Sequence, residues 1–171
     1  PAEINRPNDS IVTAARRGLP IGSNIIDAHS HVLHQNGQTA GLGMVMYNGD
    51  ATGVLEVARW SGVDRIAMMS WSGPTCTDAH YGNEIVWEAI QKFGNKIIGV
   101  AVIDPTHMDS TEIQQEIQLR HIEQGFIGMK PYVQMGLSYE DDLFSPWWEF
   151  GNEYHLYALA HVFGAEHTGG I

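Results

Sequence analysis

Two histidines separated by one residue, His29 and His31, end a short apolar segment that begins at Ile25 and contains Asp27. Such a segment predicts a buried β-strand, and side chains at positions i and i+2 of a strand project to the same face. Asp27, His29 and His31 are therefore expected on one face, with both imidazoles at the end of the strand. Two neutral imidazoles placed in this way can share one divalent ion. The spacing favours a metal site, whereas a lone buried histidine would favour a core position.

Two further polar residues follow apolar segments in the same manner. Lys130 ends the segment 126–129, and it could bind an anionic group of a substrate or be carbamylated and bridge two metals. The alternative for Lys130 is a surface lysine at a strand end. His161 ends the segment 156–160 and is favoured over His167 as a third ligand, since ligands in parallel α/β folds lie at the C-terminal ends of strands. The alternative for either histidine is an exposed position in a loop.

The other candidates for chemistry carry less weight. His34 could contact a substrate from its loop, but a solvated position is the favoured interpretation. Cys76 has His80 nearby but lacks a third residue to complete a nucleophilic arrangement. No catalytic role is predicted for the remaining histidines, which are His80, His107, His121 and His155.

The elements that must position these residues alternate along the chain. Apolar segments of strand length are predicted at 25–29, 65–70, 96–103, 126–130 and 156–161. Between them, a Gly-rich loop is predicted over 36–53 and helices over 54–61, 83–93, 109–124 and from Ser145. Strands that are apolar on both faces, alternating with helices, are typical of a parallel sheet built from βα units.

Two architectures contain such a sheet, an open doubly wound sheet and a (β/α)8 barrel. No G-x-G-x-x-G sequence follows the first strand, so a dinucleotide-binding fold has no support. Polar residues at several strand ends favour the (β/α)8 TIM-barrel-like fold. Five predicted strands are fewer than the eight of a complete barrel.

Composition excludes several classes of partner. The net charge of -11, with nine Lys plus Arg, argues against nucleic-acid binding. No apolar run approaches the roughly 20 residues of a membrane span, so no membrane partner is expected. The single cysteine excludes an internal disulfide, and a cytoplasmic location is expected because no secretory signal is visible. The expected partner is a small-molecule substrate, and assembly into a homo-oligomer stays open.

The sequence resembles a known family at this point. Ile-Ile-Asp-Ala-His-Ser-His-Val at 25–32 is similar to the D-x-H-x-H first strand of the amidohydrolase superfamily. The order of segments resembles the amidohydrolase-related (amidohydrolase 2) group, which includes aminocarboxymuconate-semialdehyde decarboxylase and resorcylate-type decarboxylases. The supporting stretches are 61–65, 98–105, 125–131 and 147–150.

This resemblance implies a divalent ion, commonly zinc, with His29, His31 and His161 as ligands. Lys130, from its place at a strand end, is the candidate catalytic residue. A histidine after strand six and an aspartate after strand eight, which the family also uses, have no counterpart in the sequence. We therefore expect residues 1–23 to be an N-terminal arm and residues 24–171 to be the N-terminal portion of a metal-dependent barrel domain.

The implied activity is hydrolysis or non-oxidative decarboxylation of a small carboxylate or carbonyl substrate. Two alternatives stay open. A TatD-like or PHP-type metal phosphoesterase also begins with H-x-H, and a truncated barrel could be a non-catalytic module.

Overall fold

The structure is a computed structural model that describes residues 13–14, 17, 19, 25–41, 44–46, 48–72, 78–132 and 137–161, with the backbone alone at 39–41 and 44–46. Seven strands lie in this part of the chain: β1 (Ile26–Val32), β2 (Thr39–Gly41), β3 (Met44–Met46), β4 (Arg65–Ser70), β5 (Ile97–Ala101), β6 (Gly128–Met129) and β7 (Tyr157–Ala158). Most of the predicted N-terminal arm, together with Cys76 and His167, lies outside the described residues.

Five of the strands form one parallel sheet in the order β1-β4-β5-β6-β7. Each strand pairs with the next one along the chain that belongs to this sheet, as expected of consecutive βα units. The sheet forms half of a barrel, which confirms the predicted TIM-barrel-like class with about five strands. All five predicted strands are present, although β6 and β7 extend over only two residues each.

The helices are α1 (Ala51–Trp60), α2 (Ala79–Phe93), α3 (Ser110–Ile117) and α4 (Ser145–Glu153), with short 3₁₀ turns at Gly94–Lys96 and Asp142–Phe144. An aspartate side chain caps the N-terminus of each of the first three helices. Asp50 caps α1, Asp78 caps α2, and Asp109 forms a capping box with Glu112 on α3. These caps explain why α1 and α2 begin three and four residues before the predicted starts.

Two local features differ from the sequence prediction. The predicted loop over 36–53 contains the antiparallel hairpin of β2 and β3, and its last residues belong to α1. The predicted helix over 109–124 changes after α3 into a π-helical segment, Gln118–Glu123. The wider turn allows consecutive side chains, Arg120 and His121, to be buried against different neighbours.

The sheet separates two apolar layers. Alternate strand residues, among them Ile66, Met68, Ile97 and Ala101, pack against the helices together with Trp147 and other helix side chains. The residues between them, Ala67, Met69, Ile98 and Val100, form the opposite, inner face with Tyr157 and Leu159. This alternation is the period of two of a strand buried on both faces.

Glycine permits close packing on the inner face. A Cβ atom at Gly128 would lie 2.7 Å from the ring of Tyr157, which is too close for any larger residue without a shift. The ring therefore lies directly over the β6 backbone.

Candidate metal centre and active site

His29 and His31 meet at the end of β1. Their Nε2 atoms lie 3.1 Å apart. His31 pairs with Met69 of β4, which belongs to the inner layer, so the two imidazoles face the concave side of the half-barrel. This confirms the predicted i, i+2 arrangement of the two histidines.

The separation of the two nitrogens matches a shared ion. A tetrahedral zinc with Zn–N distances of about 2.0–2.1 Å holds two nitrogen ligands about 3.3 Å apart. The observed 3.1 Å is within a few tenths of an ångström of that value. The residues of β1 therefore fit two positions of a zinc site.

Both rings are kept neutral by their surroundings. Burial is the largest cause that lowers the pKa of His31, to about 4, and the charges of His29 and Lys130 act in the same direction against a backbone contact of Ser70. Burial and Lys130 also lower the pKa of His29, while Asp27 opposes them. A neutral imidazole is the form that binds a metal, because its free nitrogen keeps a lone pair.

The prediction that Asp27 shares the face of the two imidazoles is wrong, because Asp27 pairs with Ile66 of the helix-facing layer. The ladder between β1 and β4 is irregular between Asp27 and Ser30, and the Asp27 carboxylate accepts a hydrogen bond from the backbone N–H of His29 at 3.0 Å. This bond holds the backbone at the position where the first imidazole leaves the strand.

Lys130 lies at the end of β6 and is 1% exposed. Its predecessor Met129 packs in the helix-facing layer, so alternation directs Lys130 to the inner face. Within the described part of the chain, its Nζ atom makes no hydrogen bond, and Nζ lies 5.9 Å from the centroid of the Tyr132 ring. Burial lowers the pKa of Lys130 to about 8. The alternative of a surface lysine is therefore wrong.

His161 follows β7 and forms a parallel bridge with Tyr132, whose ring centroid lies 4.6 Å from that of His161. The Tyr139 hydroxyl donates to its carbonyl oxygen. Burial lowers the pKa of His161, and the charges of Lys130 and His29 add to that effect. These couplings place His161 within electrostatic reach of the same inner cluster.

Side chains at the ends of three strands thus lie near one another. Among the described residues, His29 and His31 are the pair whose nitrogen atoms meet at a distance that suits two metal ligands. Among the described residues, no group of three or more His, Cys, Asp or Glu side chains could hold a metal ion. His161 therefore stays a predicted ligand, and the rival His167 lies outside the described residues.

Aromatic rings and a cavity surround the pair. Trp71, which follows β4, meets the His31 ring edge-on at a centroid distance of 4.9 Å. A cavity of 710 Å³ opens beside β1, between the histidines and the α1 residues Val54, Val57 and Ala58. Its volume is sufficient for a small organic acid.

Sequence reasoning missed one polar arrangement near this end of the sheet. The buried carboxylate of Asp104, three residues after β5, accepts hydrogen bonds from the Thr106 backbone at 3.0 Å and from His107 Nδ1 at 2.7 Å. The sequence Asp-Pro-Thr-His is a turn signal that could have indicated it, because aspartate side chains bind the backbone two residues further on.

No helix in the described part of the chain is long and apolar enough to cross a membrane. No protein-family model matches the sequence, and a search of curated proteins gave no match.

Solved structures resemble the fold. 4-Oxalomesaconate hydratase from Rhodopseudomonas palustris superposes with a TM-score of 0.57 at 18% identity, over 81% of this chain and 52% of that one. A probable 2-pyrone-4,6-dicarboxylic acid hydrolase from Acinetobacter baumannii gives 0.56 at 16% identity, over 81% and 49%. 2,6-Dihydroxybenzoate decarboxylase from Rhizobium gives 0.56 at 13% identity, over 80% and 48%.

The chain thus spans about half the length of these three structures. They are enzymes of the amidohydrolase-related group, and at these identities the likeness concerns the fold. The comparison thus shows an α/β half-barrel fold, which is the fold that the first-strand resemblance implied.

Proposed function

We propose that this chain carries the metal-binding part of a metal-dependent hydrolase or non-oxidative decarboxylase that acts on a small carboxylate. The observation that carries the proposal is the 3.1 Å separation of the two Nε2 atoms of His29 and His31 at the mouth of the half-barrel. The similarity in fold to a hydratase, a hydrolase and a decarboxylase supports the same reaction classes.

His29 and His31 would hold one divalent ion, most simply zinc, with His161 as the third ligand. Such an ion supplies Lewis acidity, which polarises a substrate oxygen or lowers the pKa of water. The Asp27 carboxylate holds the backbone N–H of His29 and so helps to fix the direction of the first imidazole.

Lys130 would bind the anionic group of the substrate. A buried ammonium group without a partner is costly, and a substrate carboxylate bound at Nζ would restore the missing charge and hydrogen bonds. Nζ lies 5.9 Å from the centroid of the Tyr132 ring. Its position among His29, His31 and His161 would place the bound acid beside the ion.

The test uses the purified chain loaded with zinc and three carboxylate probes taken from the similar structures. These probes are 4-oxalomesaconate, followed by its hydration, 2-pyrone-4,6-dicarboxylate, followed by opening of its ring, and 2,6-dihydroxybenzoate, followed by release of carbon dioxide. We expect turnover of at least one probe, its loss after chelation of zinc, and its loss in the His29→Ala, His31→Ala double variant.

Bis(4-nitrophenyl) phosphate serves as the control for a metal phosphoesterase. Turnover of the phosphodiester alone would favour the TatD-like or PHP-type alternative. Turnover of none of the four compounds by zinc-loaded protein would contradict the proposal and favour a non-catalytic module.

A further inference from the structure

Asp104 and His107 form a carboxylate–imidazole pair on the strand that lies in the middle of the sheet. β5 pairs with β4 on one side and with β6 on the other. Trp71 follows β4, and Lys130 follows β6. Because parallel strands end at the same edge of a sheet, Asp104 lies at the same end of the half-barrel as His31 and Lys130.

The pair has a defined orientation. One oxygen of the buried Asp104 carboxylate accepts from the Thr106 backbone and hydroxyl, and the other lies 2.7 Å from His107 Nδ1. A carboxylate only accepts, so Nδ1 carries the hydrogen and Nε2 keeps its lone pair. The hydrogen bonds from Thr106 to Asp104 already close the turn, so the turn does not need the contact with His107.

Exposure distinguishes the two members of the pair. The side chain of Asp104 is 3% exposed, whereas that of His107 is 68% exposed. A buried acid that orients an imidazole with an accessible second nitrogen is the arrangement used in general acid–base catalysis.

We propose that His107, oriented by Asp104, is a proton-transfer residue of the active site, an inference that depends on the proposed function. For a lactone, His107 Nε2 takes one proton from the attacking water as the water oxygen bonds to the carbonyl carbon. When the ring C–O bond breaks, Nε2 returns that proton to the leaving oxygen, so the imidazole ends neutral. Asp104 balances the positive charge of the imidazolium between the two steps.

The chain offers a matched control. His80 also places Nδ1 against a buried carboxylate, that of Glu116, at 3.0 Å, and its side chain is 58% exposed. It differs from His107 in its place in the fold, because it lies on α2 and contacts α3.

The experiment measures hydrolysis of 2-pyrone-4,6-dicarboxylate by zinc-loaded wild type, His107→Ala, Asp104→Asn and His80→Ala. General acid–base catalysis contributes about 10²–10⁴-fold, so kcat should fall by that factor in His107→Ala while KM stays the same. Added imidazole should restore part of kcat in this variant, since the exposed site is open. Asp104→Asn should lower kcat without affecting zinc content, and His80→Ala should retain wild-type kcat.

Circular dichroism of each variant checks the fold. An active wild type with equal kcat in His107→Ala, or a His107→Ala loss that imidazole does not restore, would overturn this inference and leave the proposed function standing. A wild type that does not hydrolyse 2-pyrone-4,6-dicarboxylate would overturn the role of His107 in lactone hydrolysis, and the proposed function would fail with it only if the other carboxylate probes were not turned over either.

Discussion

The indole nitrogen of Trp147 donates a hydrogen bond to Nε2 of His121, 2.9 Å away. Nδ1 of the same imidazole lies 2.7 Å from the carbonyl oxygen of Phe126, so Nδ1 carries the hydrogen. Trp147 and Phe126 are buried, and this one neutral ring thus connects α4 to the segment that leads into β6. These hydrogen bonds help to hold in place the segment that forms β6, and Lys130 lies at the end of that strand.

This bond predicts a loss of stability in acid. Burial lowers the pKa of His121 in the folded chain, against the raising effects of Phe126 and Glu116. In the unfolded chain the ring titrates near 6.5, so the unfolded chain binds more protons below that pH. The contribution of His121 to the free energy of unfolding should therefore fall as pH decreases from about 6.5 towards its folded pKa.

Urea unfolding followed by tryptophan fluorescence at pH 7 and pH 5 measures this contribution. The free energy of unfolding should change less between pH 7 and pH 5 in His121→Gln than in wild type. His155→Gln, at an exposed position, should show the same change as wild type. The same pH dependence in wild type and His121→Gln would contradict the assignment.

Lys130, which we propose binds the substrate carboxylate, should lower the free energy of unfolding of the chain. Replacement of the unpartnered ammonium by Lys130→Met removes a buried charge and keeps most of the volume, so the free energy of unfolding at pH 7 should rise by about 1–3 kcal/mol. The pKa of Lys130 in the folded chain, about 8, lies below the ordinary lysine value of 10.5. Between these two pH values the unfolded chain binds more protons, so the free energy of unfolding of wild type should increase as pH rises from 8 towards 10.5. The advantage of the variant should shrink over that range.

Denaturant titrations at pH 7 and pH 10 test this, with Lys96→Met, at an exposed position, as the control. A Lys130→Met variant less stable than wild type at pH 7 would show that Nζ has a partner in the folded chain.

Much of the fold could be predicted because its signals are local. The apolar segments at 65–70 and 96–103 specify buried strands whatever surrounds them, and the spacing of His29 and His31 fixes their common face. The hairpin of β2 and β3 lay in a Gly-rich stretch without clear alternation. Lys130 could be placed at a strand end, but its burial depends on packing against other strands.

Other features depend on contacts between residues far apart in sequence. The π-helical segment at Gln118–Glu123 buries Arg120 against Glu84 and Glu116, which periodicity within one helix cannot show. The pairing of Asn83 with Val102 likewise joins residues 19 positions apart.

Asn83 should contribute strongly to stability. The fully buried amide donates to the carbonyl oxygen of Val102 at 2.7 Å and accepts from its N–H at 2.9 Å, and it also donates to Glu116. Asn83→Ala would leave the N–H and the carbonyl oxygen of Val102 unpaired, at about 1–3 kcal/mol for each group, so we expect a total loss of about 2–6 kcal/mol.

Thermal and urea unfolding of Asn83→Ala provide the measurement. Asn152→Ala, at an exposed position on α4, is the matched control and should change stability by no more than about 0.5 kcal/mol. Equal effects of the two substitutions would contradict a role for Asn83 in joining α2 to the end of β5.

His29 and His31 should bind one divalent ion. Zinc content and affinity, measured by elemental analysis and calorimetry at pH 7 on the purified chain, test it most directly. We predict close to one zinc per chain in wild type and in His34→Ala, whose exposed imidazole lies three residues beyond His31. The His29→Ala, His31→Ala double variant should lose most of its zinc while keeping its fold. Equal zinc content in wild type and the double variant would contradict the claim.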